Sequence, residues 1–247
     1  MYGYFVYRKL KAAITVVSPA LERLPDNPDV CETVFRILLA GDIALHINDD
    51  RLLQTMETVF ANGLPDDKTL VQWARTNHES KKSILFTGEP WCMHNGLFQS
   101  IIVKQIQAAG FDTVFAPLSE TVLFDLHKQR RSKTVKGLEE LMYNAAQALG
   151  NNSPFSASLE QLTGGTAAGD FNGGFGNYRL AKTALYNEHI LGVISVSSQY
   201  ENTESVLELL SPGKKTPFLN LRFDGENNPV SRLKIEAFLD GVGKERI

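Results

Sequence analysis

The chain has 247 residues, with 25 Lys and Arg against 28 Asp and Glu for a formal charge of -3. That length buries a sizeable core without help from disulfides or metal, and the near-neutral balance supplies no basic stripe of the kind that follows a nucleic-acid backbone. Cys31 and Cys92 are the only thiols, which fits a reducing compartment better than a secreted disulfide framework.

Residues 1–80 read mainly as helices, a lead-in or wrapping region. The first stretch, Met1 to Val17, carries Arg8, Lys9 and Lys11 in its middle, unlike the unbroken apolar core of a signal peptide. Nowhere do about 18 apolar residues run together, the length a membrane span needs. A soluble, cytoplasmic protein with neither membrane nor nucleic acid as partner is the expectation. Val34, Ile37, Leu38 and Leu45 recur at helical spacing within 33–45. Asp49 or Asp50 then caps a second helix through Leu52, Met56 and Phe60, which Asn62 and Gly63 end,. Pro65 opens a turn into a short helix over 68–75.

From Lys81 the pattern changes. SILFTG (83–88) is a short apolar run of the kind a buried parallel strand shows,. A helix over 97–109 stops at Gly110, where positive φ is expected, and FDTVFAP (111–117) reads as a second strand. Strand, helix and strand in this spacing make a right-handed βαβ unit. Residues 122–149 read as a charged amphipathic stretch broken near Gly137, and 151–177 as an irregular glycine-rich loop. Helix 178–188, strand LGVISVS (191–197), helix 205–210, strand PFLNLRF (217–223) and a helix over 232–242 follow, the last with Leu233, Ala237 and Phe238 facing inward. The fold class expected is α/β, with a helical region over 1–80 and a Rossmann-like parallel-sheet domain over 81–247.

Open parallel sheets collect ligands beyond the carboxyl ends of their strands, where strand order reverses. Four segments then become candidates: Glu89 to Asn95, Pro117 to Thr121, Ser198 to Glu204 and Asp224 to Asn228. The ligand-binding candidates among them are Glu89, Trp91, Cys92, His94, Asn95, Ser119, Glu120, Gln199 and Tyr200. Catalysis, if the chain has any, would draw on Cys92, His94 and Glu89, with Cys92 as nucleophile and His94 as base; the competing reading is that Asn95 caps a helix while Trp91, Cys92 and Met93 pack. GGFG at 173–176 lacks the third glycine of a dinucleotide fingerprint and follows no strand, so a surface loop explains it better than a phosphate cradle. His46, His78, His127 and His189 stand singly, as surface or helix-end residues do. The basic run Lys128, Arg130, Arg131, Lys133 and Lys136 reads as a solvated helix face, or as a docking face for an acidic partner or for coenzyme A phosphates.

Residues 84–120 (ILFTGEPWCMHNGLFQSIIVKQIQAAGFDTVFAPLSE), with GVISVSSQYENTESVLELL (192–210), PFLNLRFDG (217–225) and RLKIEAFLDGV (232–242), resemble the 2-hydroxyacyl-CoA dehydratase and benzoyl-CoA reductase family, especially modules associated with its ATP-dependent activases. The resemblance implies Rossmann-like domains that hold a four-iron four-sulfur cluster through Cys residues at strand ends, an electron from the activase, and an acyl-CoA substrate. It also exposes a departure: after the GVISVSS strand, where a cluster Cys would stand, this chain has Ser198, Gln199 and Tyr200. Cys92 alone is a strand-end thiol, and one is too few for such a cluster without ligands from elsewhere. No cofactor of the chain's own is expected. Its expected role is an accessory module with a dehydratase- or activase-type partner, or with further domains of a longer chain; the alternative is a self-sufficient binding protein or enzyme for an acyl-CoA-like or other anionic ligand.

Overall fold

A computed structural model describes residues 28–47, 49–75, 83–93, 96–128, 134–150, 153–156, 158–159, 162, 176–185, 190–198, 216–223 and 229–244. The chain forms two compact units, each built from two segments: 1–79 with 117–159, and 80–116 with 160–247. A boundary near 81 therefore marks one passage between units, and the helices within 117–159 group with the N-terminal ones.

The first unit is helical. Helix α1 (Pro28–Ile47) packs against α3 (Asp67–Ala74), α6 (Leu118–Lys128) and α7 (Thr134–Leu149). Its inward face repeats at Phe35, Leu38, Leu39 and Ile43, all at most 1% exposed, the spacing of an amphipathic stripe. Leu70 and Trp73 of α3, Leu123 of α6, and Leu138, Leu141 and Met142 of α7 complete the core. Gly137 lies inside α7 and does not break it. A mid-helix glycine costs about 1 kcal/mol, less than burying Val135, Leu138 and Leu141 around it contributes,. Helix α2 (Asp50–Asn62) begins at Asp49, whose side chain accepts from the Arg51 and Leu52 amides, and gives way to Gly63 at φ 143°. His46, in the last turn of α1, is buried at 7% exposure rather than on the surface.

The second unit is α/β. Strands β1 (Ser83–Gly88), β2 (Asp112–Phe115), β3 (Gly192–Ser198) and β4 (Phe218–Phe223) form an all-parallel sheet in the order β2-β1-β3-β4. Between β1 and β2 come the short helix α4 (Pro90–Met93) and α5 (Gly96–Ala108), after which Gly110 takes the expected positive φ of 82°. Helix α8 (Gly176–Leu185) packs on β1, and α9 (Pro229–Lys244) on β4 and α5. The buried face of α9 is Ile235, Leu239 and Val242; of the expected inward set Phe238 does pack toward Gly192 of β3, whereas Leu233 is 65% exposed and Ala237 exposed. Helical spacing allows either set, and packing on the sheet and α5 decides which residues are buried. The β1 and β3 interiors are dry, with Ile84, Leu85, Phe86, Val193 and Ile194 at 0% exposure; the Phe86 and Phe115 rings meet edge to face at 5.6 Å. No described helix is long and apolar enough to cross a membrane.

Candidate functional site

Strand order reverses between β1 and β3, since β2 lies to one side of β1 while β3 and β4 lie to the other. This is the switch point of an open parallel sheet. Gly88 ends β1 at φ 140°, and a Cβ there would collide with the backbone carbonyl and amide of Val196. Only glycine lets the two strands stay this close where β1 turns out of the sheet.

The next residue, Glu89, fastens the same edge. Its amide donates to the Val196 carbonyl at 2.8 Å, and its Oε2 accepts from the Ser198 amide at 3.0 Å. The Cys92 thiol donates to that same Oε2 at 3.6 Å. Cys92 and Met93 are 5% and 3% exposed and lie in α4, so part of the expected open loop is a buried helical turn. A carboxylate, a backbone amide from the neighbouring strand and a thiol therefore converge at the switch point. Trp91 is in α4; His94, Asn95, Gln199 and Tyr200 lie outside the described residues, as do 201–204 and 224–228.

The edge also carries hydroxyls that the apolar run of the strands conceals. Thr87 is in register with Ser195, and Ser197 lies two residues on along the same face,. A Cβ on Gly192 would meet Phe238 of α9 at 2.7 Å, so Gly192, Ile194 and Val196 face α9 and the hydroxyl set faces the other way. Thr87 and Ser197 are 1% and 0% exposed, and among the described residues neither Thr87 Oγ1 nor Ser197 Oγ finds a hydrogen-bond partner. Buried hydroxyls are usually satisfied, which sets these two apart from the rest of the sheet. Arg179 and Lys182 on α8 are also buried, at 3% and 0% exposure. Hydroxyls ending otherwise apolar strands, and two cations three residues apart in a helix, were the signals in the sequence.

Ser119 and Glu120 belong elsewhere. Pro117 to Thr121 is not an exposed loop but the buried start of α6, in the helical unit, and both residues are 0% exposed. Asp42 of α1 takes the Leu118 and Ser119 amides at 3.0 and 2.8 Å and the Ser119 hydroxyl at 2.6 Å. Glu120 Oε1 accepts from the Ser156 amide. Burial pushes the Asp42 carboxyl up to about 6; the Ser119 and Leu118 hydrogen bonds oppose that rise and the Glu120 charge adds to it,. Asp42 shares the stripe of Leu38, Leu39 and Ile43, a lone carboxylate at core spacing that the sequence reading passed over.

Among the described residues no group of three or more His, Cys, Asp or Glu could hold a metal ion. Cys92 is a single sulfur donor engaged with Glu89, so the described residues do not fit a four-iron cluster,. No family model, curated protein or solved structure matches this chain.

Proposed function

We propose that the chain is an accessory, partner-dependent module of a 2-hydroxyacyl-CoA dehydratase or activase-like system, without an iron-sulfur cluster of its own. The Glu89 clasp is the observation that carries this reading. At the switch point, where the resemblance implies thiolate ligands, a carboxylate ties β1 to β3 through the Ser198 amide and the single thiol present is bonded to that carboxylate. Sulfur donors for a cluster would have to come from another chain or domain. Anaerobic purification of the isolated chain with iron and sulfide analysis tests it. Iron and sulfide well below four atoms each per chain are expected; a stoichiometric cluster would overturn the proposal.

The unsatisfied hydroxyls favour a second reading, a self-sufficient binding protein for an anionic ligand. Connections between parallel strands cross over right-handed, which puts α8 on the face opposite α5, the face of Thr87 and Ser197. Arg179 and Lys182 are buried on that helix, and cations of this kind suit a carboxylate or phosphate. Thermal melting with inorganic phosphate, acetate or coenzyme A, against chloride at equal ionic strength, is the test. Stabilisation in the wild type that shrinks in Thr87→Val and Ser197→Ala supports this reading, and equal stabilisation in all three removes it. A nucleophilic Cys92 with Glu89 as proton acceptor rests on the 3.6 Å contact; alkylation by iodoacetamide that is not altered by Glu89→Gln would count against it.

A further inference from the structure

Strand pairing sorts the side chains of the α/β unit into rows, because residues in register on parallel strands point to the same face. On the face toward α9 the rows stay apolar to the carboxyl end: Phe86, Ile194 and Leu219 stand side by side, and Val196 and Leu221 follow. The opposite face begins the same way, with Leu85, Val193 and Phe218 in one row. Two residues on, its character changes on three strands at once, to Thr87, Ser195 and Asn220. The next row pairs Ser197 with Arg222. Thr87, Ser195 and Ser197 are at most 1% exposed, Asn220 is half-buried and Arg222 exposed. This polar end is therefore covered over β1 and β3 and reaches solvent at β4.

Hydroxyls and an amide in a sheet core give up apolar burial and add the desolvation of polar groups. A sheet that only had to pack would keep the pattern of its other face. The change falls at the carboxyl ends of the strands beside the switch point, where open parallel sheets bind ligands. We propose that Thr87, Ser195, Ser197, Asn220 and Arg222 bind a hydroxylated anion of the sugar-phosphate class, with its anionic group at Arg222 and its hydroxyls along the row from Thr87 to Asn220. This rests on the reading of the chain as a binding protein for an anionic ligand, and it states what the rest of that ligand carries. A bare phosphate or carboxylate anion only accepts hydrogen bonds. Serine and threonine hydroxyls and the asparagine carboxamide both donate and accept, as the hydroxyls of a sugar do. The row spans two strand spacings, about 10 Å, which is wider than a bare oxyanion. Arg222 supplies a planar fork of donors that fits phosphate in two-pronged fashion, on the side that water reaches.

Isothermal titration calorimetry on the full chain tests this with ribose 5-phosphate, glucose 6-phosphate and glycerol 3-phosphate, each against inorganic phosphate at equal ionic strength. At least one of the three is expected to bind about tenfold tighter than inorganic phosphate, the worth of one or two further hydrogen bonds. Asn220→Leu should remove that preference and leave phosphate binding as in the wild type. Arg222→Gln should weaken sugar phosphate and phosphate alike by about tenfold. Arg222 is exposed, so this variant keeps the fold and decides the matter should Asn220→Leu not fold; urea midpoints check both. If inorganic phosphate binds and none of the three exceeds it, the proposal falls while the anion reading stands. If none of the four binds, the proposal falls, and the anion reading falls with it when acetate and coenzyme A are silent too. A preference that survives Asn220→Leu, or binding unchanged in Arg222→Gln, would also overturn the proposal.

Discussion

Asp42 in the helical unit and Glu89 at the end of β1 are both carboxylates holding backbone amides outside their own element, yet water reaches only one of them. Asp42 is 5% exposed, among apolar residues of α1 and beside Glu120. Glu89 is partly exposed and shares its oxygen between an amide and a thiol. Burial has made the first expensive to ionise and so responsive to pH near neutrality. Partial exposure leaves the second within reach of solutes, as a ligand-binding edge requires. Similar hydrogen bonds join helices in one place and tie two strand ends in the other, and desolvation separates the two carboxylates.

The largest effect that would break this comparison is expected at Gly88. Gly88→Ala puts a Cβ into the Val196 backbone at a φ that suits only glycine, so the edge on which Glu89 is mounted cannot form; a loss of about 4 kcal/mol or more is expected, read as a collapse of the urea midpoint. Asp42→Ala strands the Leu118 and Ser119 amides and the Ser119 hydroxyl in the core and should cost about 2–4 kcal/mol, measured in the same way.

A pH series sharpens the contrast. The folded pKa of Asp42 is raised above 3.8 to about 6, so its stabilising contribution is full below about pH 4 and is lost as pH rises through 6, about 3 kcal/mol in all. Subtracting the unfolding profile of Asp42→Asn from that of the wild type should isolate this slope, and a flat difference would show the group titrating normally. Glu89→Gln should keep an acceptor for the Ser198 amide and cost about 1 kcal/mol by urea denaturation. The smallest effect is expected at the Arg36 and Asp67 pair, whose 2.6 Å contact involves a carboxylate 61% exposed. Asp67→Asn should change stability by less than about 1 kcal/mol.

Much of the fold was legible because its signals are local. SILFTG and GVISVS announce buried strands by continuous apolar character, Gly110 and Gly63 stand where helices give way, and of the two cap candidates Asp49 and Asp50 it is Asp49 that caps α2. The candidate site was legible in part. Glu89 and Cys92 do meet at the end of β1, as strand-end placement suggested, whereas Ser119 and Glu120 belong to the helical unit because Pro117 starts a helix instead of ending a loop. Thr87 and Ser197 were hidden inside runs whose apolar neighbours dominated the pattern.

Sequence alone determined the types of most described helices and strands, the parallel character of the sheet and the glycine and carboxylate at the end of β1, because each depends on the periodicity and chain stiffness of a few adjacent residues. Tertiary structure alone decided which face of α9 is buried, that residues 117–159 join the helical unit, and that Asp42 grips α6 from another helix. Those outcomes rest on contacts between residues as far apart as 42 and 119. The desolvation that sets the Asp42 proton affinity exists only once those distant segments have closed over it.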